Sequence, residues 1–269
     1  MNLEPSSTSP GAGTIRVAAV AGKSVPITLR AASPLRLLST TGEPAPWIFA
    51  TTFGGGLVDG DRIALDVELE GGTAAVLTTQ ASTKVYRSAR GTGNFVDARV
   101  GEGALLAVLP DPIVCFAGAR FEQCSRFELA RGAELVFLDV LTAGRVARDE
   151  RWAFASHRAE LVVRREGLTL LRDSTRLDPA HGPLAIRMGR FDVLGTLVLA
   201  GSPALRAHVA EQITGPVAPD APIVESSSAR DDVLLVRFAA HEIEPLLARV
   251  RALLEPLFPR VGDPFARKR

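Results

Sequence analysis

Along most of the chain, apolar and polar positions alternate one by one. Arg62 to Glu70 is the clearest case: Ile63, Leu65, Val67 and Leu69 fall on one face, Ala64, Asp66, Glu68 and Glu70 on the other. A period of two predicts a half-buried strand. Similar runs at 14–20, 26–32, 34–39, 73–80, 94–100, 104–109, 133–141, 158–165, 167–173, 190–200 and 231–239 predict further strands. Helical spacing is convincing only near the C-terminus. Ser202 and Pro203 suit the cap and first turn of a helix over 203–213. From His241 to Leu257, the residues Ile243, Leu246, Leu247, Val250, Leu253, Leu254 and Leu257 form one helical stripe.

Three glycine turns recur in the middle of the chain: Leu69-Glu70-Gly71-Gly72, Val100-Gly101-Glu102-Gly103 and Leu129-Ala130-Arg131-Gly132. Gly72, Gly103 and Gly132 are 31 and 29 residues apart. Each unit reads as strand, short turn, strand, which is a hairpin. A single hairpin cannot bury its own apolar face, so regular spacing implies stacking. The expected fold is mainly β, with layered or solenoid-like sheets built of stacked hairpins and two helices in the C-terminal third. Residues 1–13 read as a disordered tail, 14–258 as a single β-rich domain, and 259–269 as a short basic tail.

Charge narrows the function classes. Thirty-one basic and thirty acidic residues leave a formal charge of +1 in 269 residues, unlike the basic excess of a nucleic-acid binder. No run approaches the roughly 20 apolar residues of a membrane helix. The N-terminus carries Glu4, prolines and serines where a signal peptide needs basic residues and an apolar run. Cys115 and Cys124 are the only cysteines, far from a disulfide scaffold. A reduced, cytoplasmic protein is expected, with no nucleic acid and no membrane. The hydrophobic content of 46% and mean hydropathy of +0.17 suggest apolar surface kept for a protein partner.

Catalytic motifs are absent. His157, His181, His208 and His241 stand apart, the cysteines form no CxxC pair, and there is no GxSxG. The glycines of Gly54-Gly55-Gly56-Leu57-Val58-Asp59-Gly60-Asp61 lead into a strand rather than a helix, so they form no phosphate-binding turn. Two stretches carry unusual polar chemistry. Thr78 to Ser88 is strand-like yet dense in hydrogen-bonding groups, and it holds Lys84, one of three lysines, and Tyr86, the sole tyrosine. Asp139 to Trp152 is an apolar strand running into a glycine turn with alternating charges. Both stretches suit a cavity mouth or an interface, or equally a solvated sheet face.

Four motifs, in this order, resemble the urease accessory protein UreD (UreH) family: GGGLVDGD at 54–61, LTTQASTKVYRS at 77–88, LPDPIVCFAGARF at 109–121 and LTAGRVARDERW at 141–152. The departures are Asp59 and Asp149, where the family usually has glycine, and Cys115, where proline is common. The resemblance implies a mainly β scaffold that is not an enzyme and holds no tightly bound cofactor. It implies UreF, UreG and apo-urease subunits as partners, and nickel carried in transit through a polar channel. On that reading Asp61, Asp139 and Glu150 contact nickel transiently. Ser82, Lys84, Tyr86, Arg87, Arg145 and Arg148 face the channel or a partner, with Arg145 and Arg148 holding those carboxylates in bidentate pairs. All nine are expected around one opening. Oxygen ligands would bind nickel weakly enough to release it, whereas a Cys/His cage would trap it. The alternative is an unrelated β-rich enzyme or ligand-binding module with a polar site near Asp61, Lys84 and Glu150.

Overall fold

A computed structural model describes residues 9–40, 44–213, 218 and 220–266. The described residues are about 51% strand and 16% helix, in two large sheets with four short helices. The strands are β1 (Ala12–Val20), β2 (Lys23–Ala31), β3 (Leu35–Thr40), β4 (Trp47–Thr52), β5 (Arg62–Leu69), β6 (Ala74–Thr79), β7 (Thr83–Val85), β8 (Thr92–Val100) and β9 (Leu105–Val108). They continue as β10 (Ile113–Cys115), β11 (Arg120–Leu129), β12 (Glu134–Thr142), β13 (Ser156–Arg165), β14 (Leu168–Leu177), β15 (Val193–Ala200), β16 (Ile223–Arg230) and β17 (Val233–Ala240). One sheet has the order β14-β13-β11-β8-β5-β1-β2. The other runs β16-β17-β15-β12-β9-β6-β4-β3, with β7 and β10 attached beside β12.

The glycine-turn period is that of a solenoid, but its units are not hairpins. From β5 the chain turns at Gly71-Gly72 and enters β6 of the facing sheet. It does the same from β8 to β9 and from β11 to β12. Successive coils therefore pair in parallel, β5 with β8 and β8 with β11 in one sheet, β6 with β9 and β9 with β12 in the other. The turns stack on each other as well: Gly72 N donates to Glu102 O at 2.8 Å and Gly103 N to Arg131 O at 3.2 Å. Gly72, Gly103 and Gly132 take φ of +69°, +66° and +68°, a backbone region that glycine enters freely. Among the described residues, consecutive strands pair antiparallel only outside these coils, at β1–β2, β3–β4, β13–β14 and β16–β17.

Two apolar layers follow. Ile15, Val67, Leu106, Phe127, Leu135 and Val163 fill the space between the sheets. Val76, Leu138, Leu197, Val236, Leu246 and Val250 lie on the far side of the larger sheet. Helices α2 (Pro203–Gln212) and α3 (Ile243–Leu253) cover that far side; α1 (Leu184–Met188) and α4 (Phe258–Val261) are short. Ser202 sits at the N-cap of α2 but makes no side-chain capping bond, because its backbone is left-handed with φ +44°. The stripe expected to run as one helix to Leu257 leaves the α-helix after Leu253, and Pro256 lies in a separate 3-10 turn, Glu255–Leu257. The outer face of the smaller sheet carries cross-strand ion pairs, Arg16–Glu68, Arg99–Asp66 and Arg126–Asp97 among them.

The described parts of both expected tails are structured. Residues 1–8 of the expected N-terminal tail lie outside the described residues, while Ala12 already starts β1. At the other end, Trp47 Nε1 donates to Val261 O at 2.7 Å. Arg260 grips Glu134 through two bonds of 2.8 and 3.0 Å, and Phe265 is buried. Residues 267–269 lie outside the described residues. No helix among the described residues is long and apolar enough to cross a membrane.

Candidate functional site: a polar seam between the sheets

In a strand, alternate side chains share a face, so parity along β11 and β12 tells which residues point between the sheets. On β11 the inward row is Phe121, Gln123, Ser125, Phe127 and Leu129; on β12 it is Leu135, Phe137, Asp139 and Leu141. Gln123 and Asp139 meet across the gap, Gln123 Nε2 donating to Asp139 Oδ2 at 2.6 Å. The polar row continues on neighbouring strands. Asp173 and Thr175 lie opposite Leu161 and Ala159 in the β13–β14 register, and Thr196 lies opposite both Asp139 and Arg237. Arg237 pairs with Asp173, joining one sheet to the other.

Two cavities open onto this seam, and Asp139 lines both. The larger, about 270 Å³, is lined by His157, Thr175, Thr196, Ser226 and Arg237 among others. The smaller, about 140 Å³, is lined by Thr79, Ser82, Asn94, Asp111 and Gln123 among others. No lysine, arginine or histidine lines the smaller one. Asp111 is held there by Thr79, whose Oγ1 donates to Asp111 Oδ2 at 2.9 Å and accepts from Asp111 N at 2.7 Å.

Burial governs the electrostatics. It raises the Asp139 carboxyl to about 6; the nearby Asp173 charge adds to the rise and the Gln123 bond opposes it. Burial lowers the His157 imidazole to about 4, so the ring is neutral at pH 7. His157 packs between Phe121 and Phe154, with ring centroids 5.8 and 6.1 Å away. Neither of its nitrogens has a hydrogen-bond partner among the described residues. Cys115 is buried and burial pushes its thiol up, which makes it inert. No group of three or more His, Cys, Asp or Glu that could hold a metal ion occurs among the described residues. The oxygens of the seam are scattered among Asp139, Thr175, Thr196 and Ser226 and form no cage.

The nine expected residues do not share one opening. Asp139 and Ser82 line the cavities. A second cluster forms around Phe116: Arg145 lies 4.1 Å above its ring and Tyr86 meets it edge-on at 5.1 Å. Arg145 grips Glu150 bidentately, and Ala117 N donates to Glu150 at 3.1 Å. The Arg145 bond, with Ala117 behind it, holds the Glu150 carboxyl below its usual range. The arginine-to-carboxylate pairing expected for Arg145 is thus present, but neither partner lines either of these two cavities. The Lys84 side chain is exposed, and its carbonyl accepts from Leu57 N at 2.8 Å. Arg87 lies over Gly118, and Arg148 is exposed on a 3-10 turn. Asp61 lines neither cavity; its Oδ2 accepts from Val58 N at 2.8 Å and closes its own turn.

Two of the three departures from the family pattern, Asp149 and Asp59, have local explanations. Asp149 takes φ +58°, a left-handed position where glycine is the usual residue and aspartate is tolerated. Asp59 is engaged by Arg90, whose backbone and guanidinium both donate to it. Sequence reading passed over Asp111, Gln123, His157, Asp173 and Arg237. The available signal was a polar residue at an inward-facing parity.

A parallel two-sheet coil with helices on one face defines a β-solenoid whose apolar interior is crossed by a polar seam. The family model for "UreD urease accessory protein" matches residues 9–269. A urease accessory protein UreD of Sorangium cellulosum is 46% identical over 264 residues, covering 96% of this chain and 84% of the relative. Another, from an Anaeromyxobacter species, is 45% identical over 267 residues, covering 96% and 89%. Urease accessory protein D of rice is 36% identical over 209 residues, covering 75% and 68%. The chain belongs to the UreD family of urease accessory proteins. That membership removes the alternative of an unrelated module. These relatives are named as accessory proteins and not as enzymes.

Proposed function

We propose that this chain is a non-enzymatic scaffold for maturing the urease metallocentre, working with UreF and UreG on apo-urease, and that nickel crosses its interior along the seam. The observation that carries this reading is Asp139, an acidic residue on the inward row of an apolar strand and common to both cavities. The smaller cavity presents two carboxylates, Asp111 and Asp139, among hydroxyls and amides. That set attracts a divalent cation without caging it. Of the three carboxylates expected at nickel, Asp139 is the one kept here, since it lines both cavities while Asp61 and Glu150 line neither and serve Val58 N, and Arg145 and Ala117 N.

Partner contact draws on exposed apolar side chains. Phe53 is 61% exposed and Val58 55%; both flank the glycine loop whose Gly55 and Gly56 line the smaller cavity. The cytoplasm suits a chain with two buried, unpaired thiols. The reading is tested by co-expressing urease subunits, UreF and UreG with and without this chain. Co-purification of the assembly and nickel in urease only when the chain is present is the expected result. Full nickel loading without it would refute the reading.

A further inference from the structure

We infer that His157 supplies a nitrogen ligand to a divalent transition-metal ion in the larger cavity, beside Asp139, favouring nickel-like ions there over magnesium and calcium. This rests on the transit reading and adds a selectivity element to it. The starting observation is that His157 is 2% exposed yet neither ring nitrogen is partnered among the described residues. Buried polar groups are almost always paired, and an orphaned one is costly. An apolar ring would fill the slot between Phe121 and Phe154 without that cost, so the imidazole needs another reason.

Its position supplies one. His157 lines the larger cavity together with Asp139. It lies one inward step along β13 from Ala159, the register partner of Gln123, and Gln123 holds the Asp139 carboxylate. Arg237 lines the same cavity but is paired with Asp173, which leaves the Asp139 carboxylate to attract a cation. Rotation about the last side-chain torsion of histidine is soft, and ligation requires the ring to turn so that a nitrogen meets the cavity. Neutral imidazole suits nickel, copper and zinc, whereas carboxylate and hydroxyl oxygens serve magnesium and calcium equally well. One nitrogen and one carboxylate, completed by water, form a stopping place rather than a store.

The test uses the full-length chain, titrated with nickel and separately with magnesium, and X-ray absorption of the nickel-loaded sample to detect imidazole. His157→Phe and His157→Leu are compared with wild type, so that a folding defect in one leaves the other to report; circular dichroism checks both. Loss of even an outer-shell partner weakens metal binding roughly 10–100-fold, so nickel affinity should fall at least about tenfold in both variants. Magnesium affinity should not change, and the imidazole signal should vanish. Unchanged nickel affinity, an imidazole signal that persists, or a wild-type nickel ion bound only by oxygen would each overturn the inference. None of those results touches the transit reading, which fails separately if Asp139→Asn leaves urease nickel content normal.

Discussion

Asp139→Asn should stabilise this protein at neutral pH and have almost no effect in acid. The wild-type carboxyl sits at about 6 because burial disfavours its charge, against about 3.8 in the unfolded chain. A group whose folded value is raised contributes stability that is whole below the unfolded value and is lost as pH rises through the folded one. The loss therefore develops between about pH 4 and pH 6 and is complete above. Its size is about two units at about 1.36 kcal/mol each, so on the order of 3 kcal/mol. An asparagine is never charged and can still accept the Gln123 bond. Urea unfolding at pH 7.5 and at pH 4 reads the difference, provided the slopes agree between variants. The variant should be more stable by up to about 3 kcal/mol at pH 7.5, with the gap closing toward pH 4. A less stable variant at pH 7.5, or a gap of equal size at both pH values, would refute the account of a carboxylate held in the seam against stability.

Other outcomes follow from the same structure. His157→Phe should flatten the acid side of the stability curve: the wild-type imidazole is lowered to about 4, so stability present above about pH 6.5 is lost as pH falls toward 4. About 2.5 units correspond to roughly 3 kcal/mol, measured by the same unfolding series. Gly101→Ala should be worse than Gly103→Ala. An added Cβ at 101 would lie 2.6 Å from Gly71 N and 2.7 Å from Leu69 O, whereas at 103 it meets nothing within 4 Å and only the left-handed backbone resists. The expected losses are about 3 kcal/mol for Gly101→Ala and about 1 kcal/mol for Gly103→Ala, read by thermal unfolding. Trp47→Phe removes the donor to Val261 O and should cost about 1–3 kcal/mol. Ending the chain at residue 257 should be more damaging still, because Val261 and Phe265 are buried; the yield of folded protein reports it.

How far the fold could be read depended on what each residue faces. The alternation that defined β5 is strong because every second residue is buried in one apolar layer. The period of Gly72, Gly103 and Gly132 was visible too. Its meaning was not, because a glycine turn looks the same whether the chain doubles back in one sheet or crosses to the facing sheet. Only the pairing partner, one coil of about 30 residues away, distinguishes them. β11 is absent from the alternating runs, and only the turn at Gly132 implied a strand before it; the reason bears on function. Its inward row carries Gln123 and Ser125 between Phe121 and Phe127, which breaks the apolar alternation, and those polar residues build the seam.

Asp139 stood out because it interrupts Leu135 to Leu141, an otherwise apolar run. Asp61, Arg145 and Glu150 stood out for their motifs, yet their polar atoms serve a turn and a local ion pair. A motif marks that residues belong together in the chain and does not say whether a carboxylate faces a cavity or a backbone amide. His157 looked like an ordinary core or surface histidine, and only the packing around it exposes its unpartnered nitrogens.

The central claim is that nickel crosses this chain past Asp139. The direct measurement is the nickel content of urease matured with Asp139→Asn, in a background where UreF, UreG and urease co-purify with the variant as they do with wild type. The account predicts an intact assembly whose urease holds less nickel and is less active, with Asp61→Asn behaving like wild type in nickel content. Wild-type nickel content from the Asp139→Asn assembly would contradict it.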